Sequence, residues 1–388
     1  MEGVYKMADR AINRIIEDWN QKIAGLTLQE WAKRLYGETG EEAFEVDNPG
    51  TIMKLLLLWN YMLFPYLHIM ASQRQRQRKK NRLGKLFYFD PYAGNGIVKI
   101  RANDQIIMIP GSAILALLAP ILLHEKRKTA YSYYWDVIVL NDIKEEYREA
   151  LIKRCKHIIG WTPTLEHPYT ITVTLSSINT SPNERYIAVT NHNCVQEDSW
   201  LTFKQSFDNV KRESGWIHGL IFFDPPSPDE MPLKHISKLL SIPSDVIALL
   251  HTGIFAENVN MRRYKPDTLT DILNCDIKTA ESLLGQTHTV DELENLYLES
   301  FRKLLTSIKM DVSSGSNVRD VIKYIPLRTK RGRYHLIVAT RKTGGEQFKK
   351  EWQAWFKWFN NFADEVSKLS DHDSLVVEIL SGRQAILY

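Results

Sequence analysis

Cysteine is scarce in this sequence, which has only Cys155, Cys194 and Cys275 among its 388 residues. The three are far apart, lack the spacing of metal ligands and are odd in number, so they cannot all pair as disulfides. This pattern argues against a disulfide-stabilised secreted fold and against a zinc site. We therefore expect a cytoplasmic protein with buried thiols and no bound metal.

A long, uninterrupted apolar run is also lacking. The amino terminus is charged throughout and offers no apolar segment for a secretory signal. Residues 51–72 are the most apolar stretch, but four residues interrupt it, namely Lys54, Asn60, Pro65 and His68. A membrane-spanning helix rarely tolerates so many interruptions. We expect no membrane segment here but a helix that is buried or covered by a partner, with a kink or an end near Pro65.

The sequence has little net charge. Fifty Lys and Arg residues against 46 Asp and Glu give a formal charge of +4, which is too small to indicate nucleic-acid binding by itself. One segment, "QRQRQRKKNRLGK", concentrates seven cations and no acid: Arg74, Arg76, Arg78, Lys79, Lys80, Arg82 and Lys85. A solvated linker is the more common structure for such a run. A phosphate-binding arm is the alternative.

What is present is the composition of a globular protein, with 44% apolar and 25% charged residues. The length exceeds that of a usual single core, so we expect one large domain with additions, or two domains. Apolar periodicity predicts helices at residues 8–20, around 31–36 and at 51–72. We expect a helical extension with a basic linker over residues 1–80 and an α/β domain over residues 81–388.

From residue 86 onward, short apolar strands alternate with helices, which predicts a doubly wound parallel sheet. The predicted strands are residues 86–89, 137–140, 186–190, 220–223, 246–250, 321–326 and 334–340, and the helices between them include residues 112–123, 143–158 and 199–212. Residues 255–315 break this rhythm with polar helical sequence. We expect them to form a helical insertion on the ligand side of the sheet.

The turn "DPYAGNG" follows the first of these strands. Asp90 ends the strand, and Gly94 and Gly96 permit backbone dihedrals or close approaches that a side chain would forbid. A ligand held against the turn and an ordinary tight turn both explain the glycines. Lys99 stands where a third glycine would be, which argues against the dinucleotide-binding fingerprint.

Acids follow three further strands, where ligands bind in open parallel sheets. Asp142 is placed to bind ribose hydroxyls, or to cap a helix starting at Ile143. Asp198 is placed to accept a hydrogen bond from an exocyclic amine, or to cap the helix that follows it. Asp224 precedes two prolines, which remove two backbone donors and leave carbonyls able to accept hydrogen bonds.

"DPYAGNG", the acid after the second strand and "DPPSP" together resemble the signature of class I S-adenosylmethionine-dependent methyltransferases. The order of the glycine turn, "GSAILAL" and the late segment "YIPLRTKRGRYHLIVATRKTGG" resembles the three-Cys-motif partner proteins within that class. The resemblance covers about residues 50–360, and the first and fourth turns are its most specific parts. It implies a Rossmann-like methyltransferase sheet with a helical amino-terminal extension and a helical insertion.

The resemblance also implies roles for individual residues. Those expected to contact S-adenosylmethionine are Asp90, Ala93, Gly94 and Gly96, with Asp142 at the ribose and Asp198 at the adenine amine; Asp224, Pro225 and Pro226 would face the methyl acceptor. Methyltransferases that act on base amines usually have an aromatic residue after the second proline, where this chain has Ser227. Phe255 and Tyr264 are the alternative stacking residues.

Two functions follow from the resemblance. The first is methyl transfer from S-adenosylmethionine, with an amine of nucleic acid as one candidate acceptor. In that case Arg74, Arg76, Arg78, Lys79 and Lys80 would contact the nucleic acid. The second is an accessory protein without catalysis, which associates with a three-Cys-motif iron–sulfur protein, as the family name implies. Asp224 and the intact glycine turn favour the first function, and Ser227 favours the second.

Overall fold

The structure is a computed structural model. It describes residues 17, 20–40, 43–46, 50–102, 105–126, 133–161, 169–173, 184–310, 312, 317–329, 332–341 and 346–369. The helix predicted at residues 8–20 lies almost wholly outside the described residues.

The described strands, in chain order, are β1 (Phe44–Val46), β2 (Gly84–Asp90), β3 (Ile97–Ala102), β4 (Gln105–Pro110), β5 (Val137–Asn141), β6 (Tyr169–Thr172), β7 (Arg185–Thr190), β8 (Trp216–Phe223), β9 (Ser244–Leu250), β10 (Val321–Thr329) and β11 (Gly332–Thr340). The described α-helices are α1 (Leu28–Thr39), α2 (Gly50–Tyr61), α3 (Leu67–Arg78), α4 (Ser112–Lys126), α5 (Glu145–Trp161), α6 (Glu197–Ser214), α7 (Leu233–Ile236), α8 (Thr252–Asn260), α9 (Pro266–Leu273), α10 (Ile277–Gly285), α11 (Val290–Ser307) and α12 (Glu346–Leu369).

Eight strands form one large sheet in the order β10-β11-β9-β8-β2-β5-β7-β6. Within this order, the six strands β9-β8-β2-β5-β7-β6 are parallel to one another. Strand β11 is antiparallel to both of its neighbours, β9 and β10. All seven predicted strands belong to this sheet, and the prediction of an α/β fold is confirmed. The edge strand β6 was not predicted, because its four residues are only half-buried and carry no long apolar run.

Alternate residues of the strands face two separate cores, as the period of a strand requires. On β2, Leu86 and Tyr88 pack with α2 to α5, while Phe87 and Phe89 pack with the helices on the opposite face. Gly219 lies beside Phe87 in the neighbouring strand, where an added Cβ would come within 1.9 Å of the Phe87 ring. Any side chain at position 219 would therefore displace Phe87.

A continuous helical segment, Gly50–Arg78, crosses one face of the sheet. Pro65 interrupts it with one π-helical turn, Met62–Tyr66, and does not end it. Because proline lacks an N–H, the wider turn lets the helix continue past it. The segment is the one described helix long and apolar enough to span a membrane, and 83% of its most apolar window is buried inside the protein, which is typical of a core helix.

The basic linker is corrected by the structure. Residues up to Arg78 belong to α3, and Arg74 is buried, with its guanidinium 2.9 Å from the Asp136 carboxylate. Only the residues after Arg78 form a turn that leads into β2.

Two further parts surround the large sheet. Strands β1, β3 and β4 form a small second sheet, which the sequence did not predict. The predicted insertion is helical, as expected, and within the described residues it consists of most of α8 together with α9, α10 and α11. Helix α12 packs on β10 and on the π-helical turn.

Candidate functional site

A cavity of about 620 Å³ opens at the carboxyl ends of the central parallel strands. Its walls come from the turns after β2, β5, β7 and β8, from the residue after β9, and from the amino-terminal end of α2. The residues that line it include Lys54, Ala93, Gly94, Gly96, Asp142, Ile143, His192, Asn193, Cys194, Val195, Asp224, Pro225, Pro226, His251 and Tyr334. Seven of the nine residues predicted to contact the cofactor or face the methyl acceptor therefore share one cavity, and none of the predicted nucleic-acid contacts lines it.

The two glycines of the turn after β2 serve different purposes. Both have positive φ, +60° at Gly94 and +87° at Gly96. A Cβ at Gly96 would lie 2.9 Å from Leu151 and 3.0 Å from Ile114, so Gly96 is needed for internal packing. A Cβ at Gly94 would meet no atom of the described chain within 4 Å. Gly94 thus leaves backbone exposed to the cavity.

Asp90 is buried beneath this turn and does not line the cavity. Its carboxylate is fully buried and accepts hydrogen bonds from the Ser112 hydroxyl at 2.5 Å and from the Tyr92 N–H at 3.1 Å. Burial raises the pKa of Asp90 to about 7, against the lowering effect of these hydrogen bonds. The predicted direct contact with a cofactor is therefore corrected: Asp90 positions the glycine turn.

Asn141, at the end of β5, ties together the loops that surround the cavity. Its side-chain amide donates to the carbonyls of Pro91 and His192, both at 3.0 Å. Its side-chain oxygen accepts from the His192 N–H at 2.8 Å and the Thr190 hydroxyl at 2.9 Å. The sequence pattern singled out only its neighbour Asp142, because the hydrogen bonds of a buried asparagine to distant loops cannot be recognised in a single sequence.

Asp142 lines the cavity, and its carboxylate already accepts two hydrogen bonds from backbone N–H groups. One carboxylate oxygen accepts from the Gly94 N–H at 3.1 Å and the other from the Lys144 N–H at 2.9 Å. Helix α5 begins only at Glu145, so the predicted capping of a helix at Ile143 does not occur. Burial raises the pKa of Asp142. Because each oxygen has two lone pairs, the carboxylate can still accept from a ligand.

Asp198 is not part of the cavity. It lies exposed in the first turn of α6, and the loop residues His192 to Val195 line the cavity instead. Strand β7 ends at Thr190 and α6 begins at Glu197, and the loop between them is held to the end of β5 by hydrogen bonds between Asn141 and the His192 backbone. Two apolar side chains that the sequence analysis did not single out, Ile143 and Val195, line this end of the cavity and are 62% and 44% exposed.

The "DPP" turn lies at the opposite end of the cavity. Asp224, Pro225 and Pro226 all line it. The ammonium of Lys54, on α2, is 2.5 Å from the Asp224 carboxylate, and the two side chains are 14% and 18% exposed. Ser227 lies outside the lining, where its carbonyl accepts from the Glu230 N–H in the 3₁₀ turn Pro228–Glu230.

His251 and Tyr334 complete this end of the cavity and were not predicted. The ring of His251 lies edge-on to that of Tyr334, with centroids 5.0 Å apart. Strand β9 was predicted to end at residue 250, so a polar residue directly after it was the signal that could have identified His251.

Phe255 and Tyr264 do not reach the cavity, which corrects their assignment as stacking residues. Phe255 is fully buried and stacks on Tyr297, with ring centroids 4.7 Å apart. The Tyr264 hydroxyl accepts from the Asn258 side-chain amide at 3.0 Å, and its ring is also buried. Both rings belong to the core between the sheet and the insertion.

The basic run lies at the amino ends of the parallel strands, whereas the cavity lies at their carboxyl ends. Arg74 and Arg78 both contact Tyr134, which precedes β5, and Arg78 donates to the Tyr134 hydroxyl at 2.6 Å. The run ends where β2 begins, whereas the cavity lies beyond the end of β2. A strand of this length separates the two by about 20 Å. A phosphate-binding arm formed by this run would therefore not adjoin the cavity, and burial excludes Arg74 from it.

No family model and no curated protein matches this sequence. Among solved structures, the chain is similar to protein LPL1258 from Legionella pneumophila str. Philadelphia 1, described with the family model DUF519. The sequences are 11% identical, the TM-score is 0.34, and the similarity covers 81% of this chain and 94% of that chain. A similarity at this level carries no argument about function.

Proposed function

We propose that the cavity binds S-adenosylmethionine and that the protein transfers its methyl group to an amine. The observation that carries the proposal is the convergence of three separate turns on one cavity: the glycine turn with Gly94, the turn with Asp142 and the "DPP" turn with Asp224. These are the turns to which the resemblance assigns the cofactor and the acceptor. The class I methyltransferase fold and the cytoplasmic location are parts of the same proposal.

The strand order supports this proposal. From β2 the chain moves outward to β5 and to the edge strand β6, fills the place between them with β7, then crosses to β8 on the other side of β2 and continues to β9. Ligands of open α/β sheets bind at the carboxyl ends of strands where the order reverses in this way. A volume of about 620 Å³ also falls within the range of about 300–1,000 Å³ that is typical of small-molecule sites.

Each part of the cofactor is assigned to a different group of lining residues, in their order along the cavity. The exposed backbone at Gly94 would meet the methionine portion, and the remaining lone pairs of Asp142 would accept from the ribose hydroxyls. The adenine ring would lie between the apolar side chains of Ile143 and Val195, in place of the contact first assigned to Asp198. The sulfonium methyl would then point to the "DPP" turn.

The chemistry at the "DPP" turn is a direct displacement. The amine lone pair attacks the methyl carbon, the carbon–sulfur bond breaks, and its electron pair remains on sulfur. Pro225 and Pro226 have no N–H, so nearby carbonyls are left to accept from the amine. Lys54 compensates the charge of Asp224 and holds its carboxylate in place. Orientation of the amine would supply much of the rate.

The experiment has two readouts. In calorimetry, the purified protein is expected to bind S-adenosylmethionine and its demethylated product, S-adenosylhomocysteine. In the second readout, the protein is incubated with methyl-labelled cofactor and a cell extract, and label is counted in the nucleic-acid, protein and small-molecule fractions. Asp224→Asn is expected to bind both ligands like the parent and to transfer no label.

The outcomes separate the two functions considered. Binding with label transfer that requires Asp224 supports the methyltransferase and identifies the acceptor class. Binding without transfer to any fraction favours the accessory function beside a three-Cys-motif iron–sulfur protein. Absence of binding at millimolar ligand by a folded protein contradicts the proposed cofactor.

A further inference from the structure

His251 has an unusual position for a buried histidine. It directly follows β9 and lines the cavity, where the Pro225 carbonyl is its only hydrogen-bond partner among the described residues, so at least one ring nitrogen has none. Buried polar atoms in proteins nearly always have partners, and an exception needs an explanation. A nitrogen that faces a cavity and lacks a protein partner is available to hydrogen-bond a molecule bound there.

The surroundings of His251 favour a neutral ring. The charged groups near it are Asp224, after β8, and Lys54, on α2; Tyr334 of β11 supplies the aromatic contact. Burial is the largest effect on His251 and lowers its pKa, as does the charge of Lys54, while the charge of Asp224 and a hydrogen bond to the Pro225 carbonyl act in the opposite direction. A neutral imidazole keeps one nitrogen lone pair available to accept a proton.

We propose that His251 is a catalytic residue that accepts the proton lost by the methyl acceptor, an inference that rests on the proposed function. When the amine nitrogen bonds to the methyl carbon, the electrons of the carbon–sulfur bond go to sulfur and the nitrogen becomes positively charged. One N–H proton then passes to the free lone pair of His251. The products are S-adenosylhomocysteine, the methylated amine and an imidazolium, which later releases its proton to water.

Asp224 is less suited to this step. One of its carboxylate oxygens already accepts from the Lys54 ammonium at 2.5 Å, whereas a ring nitrogen of His251 has no partner. His251 is beside this pair, and its imidazolium would be stabilised by the Asp224 charge. Asp224 therefore orients the amine, and His251 removes its proton. The acceptor is accordingly a neutral nitrogen compound that carries at least one N–H.

A cofactor analogue tests this inference without knowledge of the acceptor. Sinefungin carries an amino group on a carbon that replaces the methylated sulfur of S-adenosylmethionine, whereas S-adenosylhomocysteine has no group at this position. The amino group would donate to His251. Calorimetry with both ligands gives the ratio of the affinity for sinefungin to that for S-adenosylhomocysteine. This ratio is measured for the parent and for His251→Phe, which keeps the aromatic contact with Tyr334. His288→Gln, a histidine variant in the insertion, is the control.

We expect the parent and His288→Gln to prefer sinefungin by at least tenfold, the effect of about one charge-assisted hydrogen bond. His251→Phe should lose about tenfold of this preference and bind S-adenosylhomocysteine like the parent. In the parent the preference should decrease when the pH falls below the pKa of His251, because the imidazolium repels the ammonium, and this decrease should be absent from His251→Phe.

Other outcomes overturn the inference. If both ligands bind but His251→Phe keeps the parental ratio at every pH, or if the parent shows no preference, His251 does not contact the reacting position, and the proposed function still stands. If the parent binds neither ligand, the proposed function fails and the inference fails with it. Should His251→Phe lack the circular dichroism of the folded parent, His251→Leu replaces it with the same expectations.

Discussion

Lys54 and Asp224 are 170 positions apart in the sequence and form an ion pair of 2.5 Å inside the cavity. Lys54 comes from the helical segment before the first strand of the large sheet, and Asp224 from the turn after β8. The amino-terminal helices are therefore a wall of the candidate site. Any ligand at the "DPP" turn contacts both segments, so the site requires that α2 is packed against the sheet.

The first prediction concerns this ion pair. Replacing Lys54 by Met leaves the largely buried Asp224 carboxylate without its partner, so we expect a loss of about 1–3 kcal/mol in the free energy of unfolding. Lys54→Met combined with Asp224→Asn should lose less than the sum of the two single variants, because the double variant leaves no unpaired charge. Urea denaturation of all four proteins measures the coupling. Strict additivity would contradict the interaction.

The second prediction separates strain from ligand contact at Gly94. Gly94→Ala places a side chain at positive φ and in the cavity, so it should cost about 1–2 kcal/mol of stability and also reduce the affinity for S-adenosylmethionine. Gly40→Ala is a matched control, because Gly40 has φ +64° and an added Cβ there would meet no described atom within 4 Å. It should cost similar stability without affecting affinity. Equal affinity in both variants would remove Gly94 from the ligand site.

The sequence predicted more of the fold than of the site. Buried strands were recognised from short apolar runs, and the acids that follow them from their position at strand ends. Asp198 was misplaced because a single sequence does not show how the loop after β7 turns before α6. His251 and Lys54 were overlooked because their role depends on contacts between segments distant in the chain. Phe255 was assigned to the site because an aromatic residue near a strand end looks the same whether it faces a core or a cavity.

The third prediction concerns Asp90 and pH. The pKa of Asp90 is raised from 3.8 to about 7, so the unfolded state ionises this carboxyl at lower pH than the folded state does. The free energy of unfolding should therefore fall as the pH rises from about 4 to about 7, by up to roughly 4 kcal/mol from this residue. Asp90→Asn should match the parent below pH 4 and exceed its stability at pH 8. Urea denaturation across this range measures both proteins, and parallel profiles would contradict a raised pKa.

The last prediction asks whether the exposed end of the basic run contributes to nucleic-acid binding. Lys79, Lys80 and Arg82 are exposed, but they lie at the amino ends of the strands, about 20 Å from the cavity. Since duplex nucleic acid rises about 3.4 Å per base pair, roughly six base pairs are needed to reach from one to the other.

If nucleic acid carries the acceptor, a 12-base-pair hairpin should bind with a steep log–log dependence on salt. Replacing these three cations by Gln should decrease the slope by about 0.7–0.9 for each phosphate that the variant no longer neutralises.

Two controls separate the basic run from the cavity. A 4-base-pair hairpin bound at the cavity should bind parent and variant equally. With either hairpin present, parent and variant should have the same affinity for S-adenosylmethionine. Replacing Arg262, Lys265 and Lys278 of the insertion by Gln controls for the change in net charge. Filter binding at several salt concentrations measures these slopes. If the long hairpin does not bind, or if its slope is the same in parent and variant, the basic run has no part in binding, and a protein or a small molecule is the expected acceptor.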